Sequence, residues 1–411
     1  MYTVANLKKV KTFYNKFVTN IKRTSTNIKV EGFNGNLIHT IAFGLSALKV
    51  TLSGQDEDFA PLSMIYNDWY NAFDQFKGVK ETDISVSNNT FKLGNEYLSC
   101  EESNSNKFDW TTIANIQSEP FSYAILTNSV CAKQGKLLCN SYMYFCLKEN
   151  TLNIINTNDI ILQSSIVNDV EGDDIVFAIP NEFISTLKKW VMLANDSDVI
   201  TLSSCSVNNF NFLNLSFEGE NGIVYEMICP MVLGSEYDKT YNVLSKLINT
   251  QYMGKPVKLD ENDMYQEMVN EAGHKLLTNG KKGVTKKSIK KILDDYNKES
   301  DKVAAFKMID NKIFDVTYLN LSKSVGDDNV YILRTLYTDY TNATSEFDTL
   351  VYYLSSKANA LLFGHKDDMF EFKTLFMLRK PKEAIITEIP DEVEDEEEII
   401  VNNDDDTFEP T

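Results

Sequence analysis

The spacing of apolar residues switches between helical and strand periods in the same order more than once along the chain. In residues 59–73, and again in residues 177–191, a proline precedes apolar residues at helical spacing. Two stretches of alternating apolar and polar residues follow each segment, which is the pattern of a β-hairpin. We therefore predict that each segment is a helix, with its proline in the first turn, that leads into paired strands.

The same order recurs near the C-terminus. Residues 345–354 are predicted to form a helix, and residues 360–363 and 370–378 to form strands joined by a turn. Each copy is preceded by a matching half that begins with a helix, and the predicted leading helices are residues 6–23, 124–131 and 286–298. The sequence thus predicts an α+β protein with three similar domains, in which helices lie on one face of antiparallel sheets.

Boundaries are predicted where these patterns stop. The predicted organisation is domain 1 at residues 1–118, domain 2 at 119–245, a linker or insertion at 246–283, domain 3 at 284–384 and a tail at 385–411. Residues 260–277 show helical spacing without a counterpart in the other domains. The tail contains the acidic runs Asp391–Glu398 and Asp404–Asp406 and is predicted to be disordered, because like charges repel and little there can be buried.

Composition adds limits to this picture. The 411 residues are 43% hydrophobic and 11% aromatic, which is enough for several cores. No apolar stretch is long enough to span a membrane and the first residues do not resemble a signal peptide, so we expect a cytoplasmic protein without membrane contact. The abundance of Asn, Lys, Ile and Tyr is typical of an AT-rich genome and fits a virus or bacteriophage. The net charge of −19 argues against a general nucleic-acid binder, so the location of the basic residues matters more than their number.

Signals for catalysis and metal binding are weak. The six cysteines form no CxxC pair, and we expect them to be reduced and buried. The histidines His39, His274 and His365 lie in separate segments, and no phosphate-binding loop or nucleophile motif occurs. Paired acids fall in predicted turns, where solvated roles are usual. We therefore expect no enzymatic activity, no metal and no cofactor.

Three stretches, in this order, resemble the bacterial β-type DNA sliding clamp, the processivity factor of replicative polymerases. Residues 153–159 resemble a strand that ends in a Thr-Asp-Gly-His-like turn, Gly234–Leu244 the stretch that closes the second domain, and Leu375–Arg379 the C-terminal strand. The Gly-His of the turn is absent, and Glu236 replaces a proline of the family. The order of these stretches on a triplicated scaffold extends the resemblance to Lys382.

This resemblance implies a head-to-tail homodimer that closes into a ring of six domains, with helices around the hole and sheets outside. Such a ring encircles double-stranded DNA, tethers the DNA polymerase and is opened by a clamp loader. Both partners insert short apolar peptides into a pocket between the second and third domains. The positions that match this pocket are Thr157, Asn158, Ile160, Leu162, Tyr241, Val243, Leu244, Leu375, Phe376, Met377 and Leu378.

The basic residues can be tested against this expectation independently of the family. On a helical wheel of the first helix, Lys9, Lys16 and Arg23 lie opposite the apolar stripe, with Lys8 beside them. No Asp or Glu occurs before Glu31, and the predicted helix at 286–298 repeats the arrangement. Lysines on flexible stems attract phosphates without reading bases, as a sliding protein requires. The candidate DNA-binding residues are Lys8, Lys9, Lys16, Arg23, Lys133, Lys136, Lys189, Lys287, Lys290, Lys291 and Lys298.

Other interpretations remain open at this point. The basic faces could be solvated surfaces without a ligand, and the pocket positions could be ordinary strand residues of the core. The whole chain could instead be a β-rich viral structural or assembly protein. It could also be a clamp-like subunit that recruits a transcription or repair enzyme without closing a ring, and an enzyme with an unrecognised site is a weaker alternative.

Overall fold

The computed structural model describes most of the first 249 residues and parts of the remainder. The described residues are 2–19, 22–54, 58–87, 89–104, 108–131, 138–158, 160–249, 257–258, 303–309, 312–315, 330–347, 350–353 and 360–377. We call residues 2–104 the N-terminal segment, 108–249 the middle segment and 257–377 the C-terminal segment. The predicted helices at 260–277 and 286–298 and the predicted tail lie outside the described residues.

Six α-helices occur in the described residues. They are α1 (Val4–Asn15), α2 (Tyr66–Asn71), α3 (Ser118–Asn128), α4 (Ile184–Val191), α5 (Ser235–Ile248) and α6 (Arg334–Ala343). Helix α1 begins after Thr3, whose hydroxyl accepts a hydrogen bond from the Asn6 N–H at 3.4 Å and so caps the helix. It ends at Asn15, earlier than the predicted end at Arg23.

The strands are numbered in chain order. Those of the first 117 residues are β1 (Tyr2–Thr3), β2 (Asn27–Phe33), β3 (Asn36–Phe43), β4 (Ser46–Ser53), β5 (Phe59–Ile65), β6 (Glu81–Thr82), β7 (Ile84–Ser87), β8 (Thr90–Leu93), β9 (Glu96–Ser99), β10 (Glu101–Glu102) and β11 (Thr111–Gln117). Those of residues 142–231 are β12 (Tyr142–Lys148), β13 (Thr151–Asn158), β14 (Ile161–Val167), β15 (Glu171–Gly172), β16 (Ile175–Pro180), β17 (Val199–Val207), β18 (Phe210–Glu218) and β19 (Val224–Met231). The later strands are β20 (Val257–Lys258), β21 (Val303–Ile309), β22 (Lys312–Asp315), β23 (Val330–Leu333), β24 (Leu350–Tyr353), β25 (Ala360–Lys366) and β26 (Phe370–Met377).

Two large antiparallel sheets cross the junctions between segments. The first has ten strands in the order β10-β5-β2-β3-β4-β19-β18-β17-β11-β15, and it joins the N-terminal and middle segments where β4 pairs with β19. The second has eight strands in the order β16-β12-β13-β14-β26-β25-β24-β20, and it joins the middle and C-terminal segments where β14 pairs with β26. Consecutive segments are therefore held together by backbone hydrogen bonds.

Smaller sheets lie beside the large ones. Strands β7-β8-β9 form a three-stranded sheet in the N-terminal segment, and β22-β21-β23 form another in the C-terminal segment. The alternating pattern after residues 59–73 predicted two strands, whereas the sheet β7-β8-β9 has three, and β8 is the additional one.

Helices α1 to α4 pack on one side of the sheets, and their buried faces belong to one continuous hydrophobic core. Trp69 of α2 and Trp190 of α4 are fully buried in it, together with Phe145 and Phe177 of the eight-stranded sheet. Tyr340 of α6 joins the same core. Helix α5 covers the opposite face of the eight-stranded sheet, where Leu244 and other residues form a second, smaller cluster.

Three element predictions were wrong. Pro61 lies in β5 rather than in a helix, opposite an irregularity in the β2–β5 pairing between Val30 and Gly32, a position at which a strand tolerates a missing N–H. Pro180 is the last residue of β16, so the helix predicted in residues 177–191 also begins only after the strand that contains its proline. A third helix was predicted at residues 345–354. The helix of this region, α6, instead ends at Ala343, and Leu350–Tyr353 forms strand β24, which pairs with β25. Short apolar runs fit both the helical period and the strand period, so pairing with other strands decides whether such a run forms a helix or a strand.

Candidate nucleic-acid interface and partner site

The apolar stripe predicted for the first helix is buried, and its lysines point away from the core. Leu7, Val10 and Tyr14 are at most 1% exposed. Lys8 and Lys16 are exposed, and Lys9 is partly exposed. No acidic residue interrupts α1, so this face of the helix carries only positive charge.

Contacts with other elements orient two of these lysines. Lys9 Nζ lies 2.6 Å from Oε2 of Glu220, an exposed residue of the middle segment, and this hydrogen bond lowers the pKa of the glutamate. Lys8 Nζ donates to the carbonyl oxygen of Phe76 at 3.1 Å. The Lys9 charge is therefore shared with an acidic neighbour that sequence spacing could not reveal, because the pair is 211 residues apart in sequence.

Arg23 is not on the helix, which corrects its predicted place on the α1 wheel. The chain turns after Asn15, and the Arg23 guanidinium lies 3.8 Å from the centroid of the Tyr70 ring and donates to Oδ1 of Asn15. Lys11, which is not among the predicted DNA-binding residues, lies 3.7 Å from the same ring centroid. Its helical position, one turn after Leu7 and beside the buried stripe, was the available signal.

The middle segment contributes fewer described cations. Lys189 is exposed on α4, where Ile184, Leu187 and Trp190 are buried, and Lys188 is partly exposed. Acidic residues on the helices of this side include Asp68, Asp74, Glu119 and Asp339. Six of the predicted DNA-binding residues lie outside the described residues, namely Lys133, Lys136, Lys287, Lys290, Lys291 and Lys298.

Helices of the middle and C-terminal segments adjoin on this side of the sheets. The rings of Tyr123 in α3 and Phe347, which follows α6, are 4.8 Å apart, and the Tyr123 hydroxyl donates to Glu346 at 3.3 Å. Together with the continuous core, this contact places α1 to α4 and α6 on the same side of the two large sheets.

Four of the predicted pocket residues meet on the opposite side of the eight-stranded sheet. Leu162 and Leu375 are directly opposite each other on β14 and β26, and Tyr241 and Leu244 of α5 pack over them in the smaller cluster. Burial raises the pKa of Tyr241 above its ordinary value. All four are buried between α5 and the sheet, so they belong to the core of this side rather than to its exposed surface.

Two exposed apolar residues lie on α5 and a third lies at the end of β26. Val243 is 66% exposed and Leu247, one turn later, is 53% exposed. Met377 is 42% exposed at the end of β26 and shares the α5 face with Leu375, because residues two apart in a strand point the same way. The side chain of Lys373 donates to Asn249 at 3.1 Å and so joins the end of α5 to β26.

The remaining predicted pocket residues have other positions. Phe376 lies on the helix side of the sheet, where it contacts Tyr340. Because neighbouring residues of a strand face opposite sides of a sheet, Phe376 does not share the side of Leu375. The Thr157 hydroxyl donates to the Ile161 carbonyl, and the Asn158 side chain accepts from the Ile161 N–H, so both polar groups stabilise the turn. Ile160 is partly buried against the main core, and Leu378 lies outside the described residues.

The side chains that could bind a metal or act as nucleophiles are dispersed. Among the described residues, no three His, Cys, Asp or Glu side chains are grouped as metal ligands. All six cysteines are free, and burial raises the pKa of the Cys229 thiol to about 12. The described helices include none with the length and apolar content that crossing a bilayer requires.

Sheets that run across segment junctions, with α1 to α4 and α6 on one side, define the fold of a DNA sliding clamp. Solved structures with this fold include the DNA polymerase III subunit beta of Borrelia burgdorferi, which is 14% identical and aligns over 93% of this chain and 99% of its own with a TM-score of 0.60. The DNA polymerase sliding clamp of Pseudomonas aeruginosa is 12% identical over 92% and 98% of the two chains, with a TM-score of 0.60. The Helicobacter pylori beta clamp bound to a DNA ligase peptide is 10% identical over 92% and 98%, with a TM-score of 0.57. No protein-family model and no curated protein matches the sequence.

Proposed function

We propose that this protein is a DNA sliding clamp that encircles duplex DNA and tethers the replicative DNA polymerase. The observation that carries the proposal is the packing of helices from all three segments on one side of two sheets that cross the segment junctions. The solved structures that share this architecture include a DNA polymerase III subunit beta and a DNA polymerase sliding clamp. The function requires no catalytic residue and no cofactor.

The charge on α1 supports DNA as the ligand. Lys8, Lys9 and Lys11 lie on a helix without acids, and Lys16 follows directly after its end, in a chain whose net charge is −19. Lysine side chains attract phosphates through counterion release and carry no base specificity, so the duplex can move past them. The acidic residues elsewhere on the same side reduce this attraction and favour loose contact over tight binding.

Ring closure would require a second copy of the chain. In the described residues β9 pairs only with β8, and β23 pairs only with β21, so each three-stranded sheet has an edge available to another strand. Tyr97 on β9 is 66% exposed. We infer a head-to-tail homodimer in which these edges pair, and sedimentation at micromolar concentration would report a monomer if this inference is wrong.

The surface around Val243, Leu247 and Met377 is the proposed partner site. Exposed apolar side chains suit short apolar peptides, and Met adapts to varied partners. The Helicobacter pylori clamp, with the same fold, is bound to a DNA ligase peptide. Polymerase and clamp-loader peptides are the proposed ligands of this chain, in the cytoplasm of a bacterial cell, and the composition fits a bacteriophage gene.

Topological linkage to DNA is the decisive test. The protein is mixed with nicked circular plasmid in the presence of a clamp loader and passed through a sizing column at high salt. We expect it to travel with the circle and to be released when a restriction enzyme linearises the plasmid. Equal retention on circular and linear DNA would contradict encirclement and would favour a clamp-like recruiter that does not close a ring.

A further inference from the structure

A groove of about 360 Å³ lies between α1 and α2, on the helix side of the ten-stranded sheet. Lys8 and Lys11 of α1 and Lys77, which follows α2, line it. Asp74 contributes the only carboxylate among the described lining residues, so the groove carries a positive balance in an acidic chain.

Tyr70 holds Lys11, one of the lysines that line this groove. Its ring centroid lies 3.7 Å from Lys11 Nζ and 3.8 Å from Arg23 Cζ, within the range of cation–π attraction. The Arg23 guanidinium is held further by Oδ1 of Asn15, at the end of α1. One neutral ring therefore contacts two charges, one on α1 and one in the turn that precedes β2.

We propose that this groove is a fixed phosphate-binding site, which takes one phosphodiester group of a nucleic-acid strand and uses Tyr70 as a positioning residue. The proposal rests on the proposed function, since DNA passing the helix side is the ligand considered. It differs from diffuse attraction because a fixed site depends on how the charges are held as well as on their number. The ammonium groups of Lys8, Lys11 and Lys77 line one groove and match the charge and hydrogen-bonding capacity of a phosphate.

Asp74 acts as a competitor within the groove. Its carboxylate lies 3.8 Å from Lys11 Nζ and its side chain is 79% exposed, so the pair is a loose surface contact. A phosphate that enters the groove would take over this contact with Lys11. Removing the carboxylate should therefore strengthen phosphate binding, whereas removing a structural ion pair would only weaken the fold.

The test uses the full chain and four variants, with affinity for a fluorescent duplex measured at several salt concentrations. Tyr70→Leu changes no charge, yet we expect it to weaken binding by about threefold to tenfold, as the loss of two cation–π contacts predicts. Tyr70→Phe keeps the ring face and should restore wild-type affinity. Lys11→Gln should weaken binding to a similar extent, and Asp74→Asn should strengthen it.

A second readout separates this site from the clamp function. Nuclear magnetic resonance of the Lys11 side chain should show a ring-current shift that Tyr70→Leu abolishes, and titration with inorganic pyrophosphate should perturb the same signals. Wild-type duplex affinity in Tyr70→Leu would overturn the site and leave the clamp proposal standing. Perturbation by pyrophosphate without any duplex binding would keep a phosphate site and overturn DNA as its ligand, while the linkage to circular plasmid tests the clamp proposal separately. A single-stranded oligonucleotide of equal length shows which form of DNA supplies the phosphate.

Discussion

Lys49 and Glu226 face each other across the junction of the N-terminal and middle segments, with Nζ and Oε2 2.8 Å apart. They are directly opposite in the pairing of β4 with β19. The Glu226 side chain is only 10% exposed and also accepts a hydrogen bond from Asn214 at 3.0 Å. The junction therefore contains a largely buried carboxylate that depends on a cation from the other segment.

Removing the cation should weaken this junction. We expect Lys49→Met to lower the free energy of unfolding by about 1–3 kcal/mol, because it leaves a mostly buried carboxylate with one neutral partner. Adding Glu226→Gln should recover part of the loss. Urea unfolding and hydrogen exchange of the β4 amides measure the effect. Lys148→Met is the control, because Lys148 and Glu149 form an exposed pair, and an equal effect of the two variants would contradict the argument.

His39 predicts a pH dependence of stability. The His39 ring is fully buried, and its centroid lies 5.5 Å from the centroid of the Trp69 ring. Burial lowers the pKa of His39 to about 3. The unfolded chain binds this proton below about pH 6.5 and the folded chain does not, so stability falls as pH drops from about 6.5 to 3, by up to about 1.4 kcal/mol per pH unit. We expect the free energy of unfolding of His39→Phe, measured in urea, to change less with pH over this range. The same pH dependence in the two proteins would refute this.

Two neighbouring serines on β14 allow a matched comparison. Ser165 lies under α3, where its hydroxyl is 2.9 Å from that of Thr127 and accepts from the Asn128 amide at 2.7 Å. Ser164 faces the α5 side and has one hydrogen bond, to Asn153. We expect Ser165→Ala to cost about 1–2 kcal/mol and Ser164→Ala less, because the former deprives two buried groups of a partner. Thermal and urea unfolding would show the reverse order if the polar contacts under α3 do not stabilise the fold.

Val243 tests the proposed partner site. Because the side chain is 66% exposed, Val243→Asp should leave the melting temperature unchanged. We expect it to reduce the affinity for a polymerase C-terminal peptide by about tenfold or more, since a charge would replace an apolar contact. Fluorescence anisotropy measures the affinity. Val199→Asp is the control, as Val199 is also exposed but lies on β17, and equal losses would locate peptide binding elsewhere.

Periodicity predicted which residues of α1 are buried but not where the helix ends. Val18 keeps the helical spacing and is buried, yet its N–H bonds to Tyr14 in a turn after the helix has ended. Apolar spacing reports burial and does not report backbone hydrogen bonds. The partner-site positions were predicted from a resemblance of short motifs, and strand alternation then separated Leu375 from Phe376.

The sequence by itself determined local elements such as the hairpins and the buried stripe of α1, because residues close in the chain set these patterns. Only the tertiary structure decided that β4 pairs with β19 and β14 with β26, and that Lys9 meets Glu220 while Arg23 lies over Tyr70. Such contacts join residues far apart in the chain. Their formation depends on how whole sheets pack, which no local spacing records.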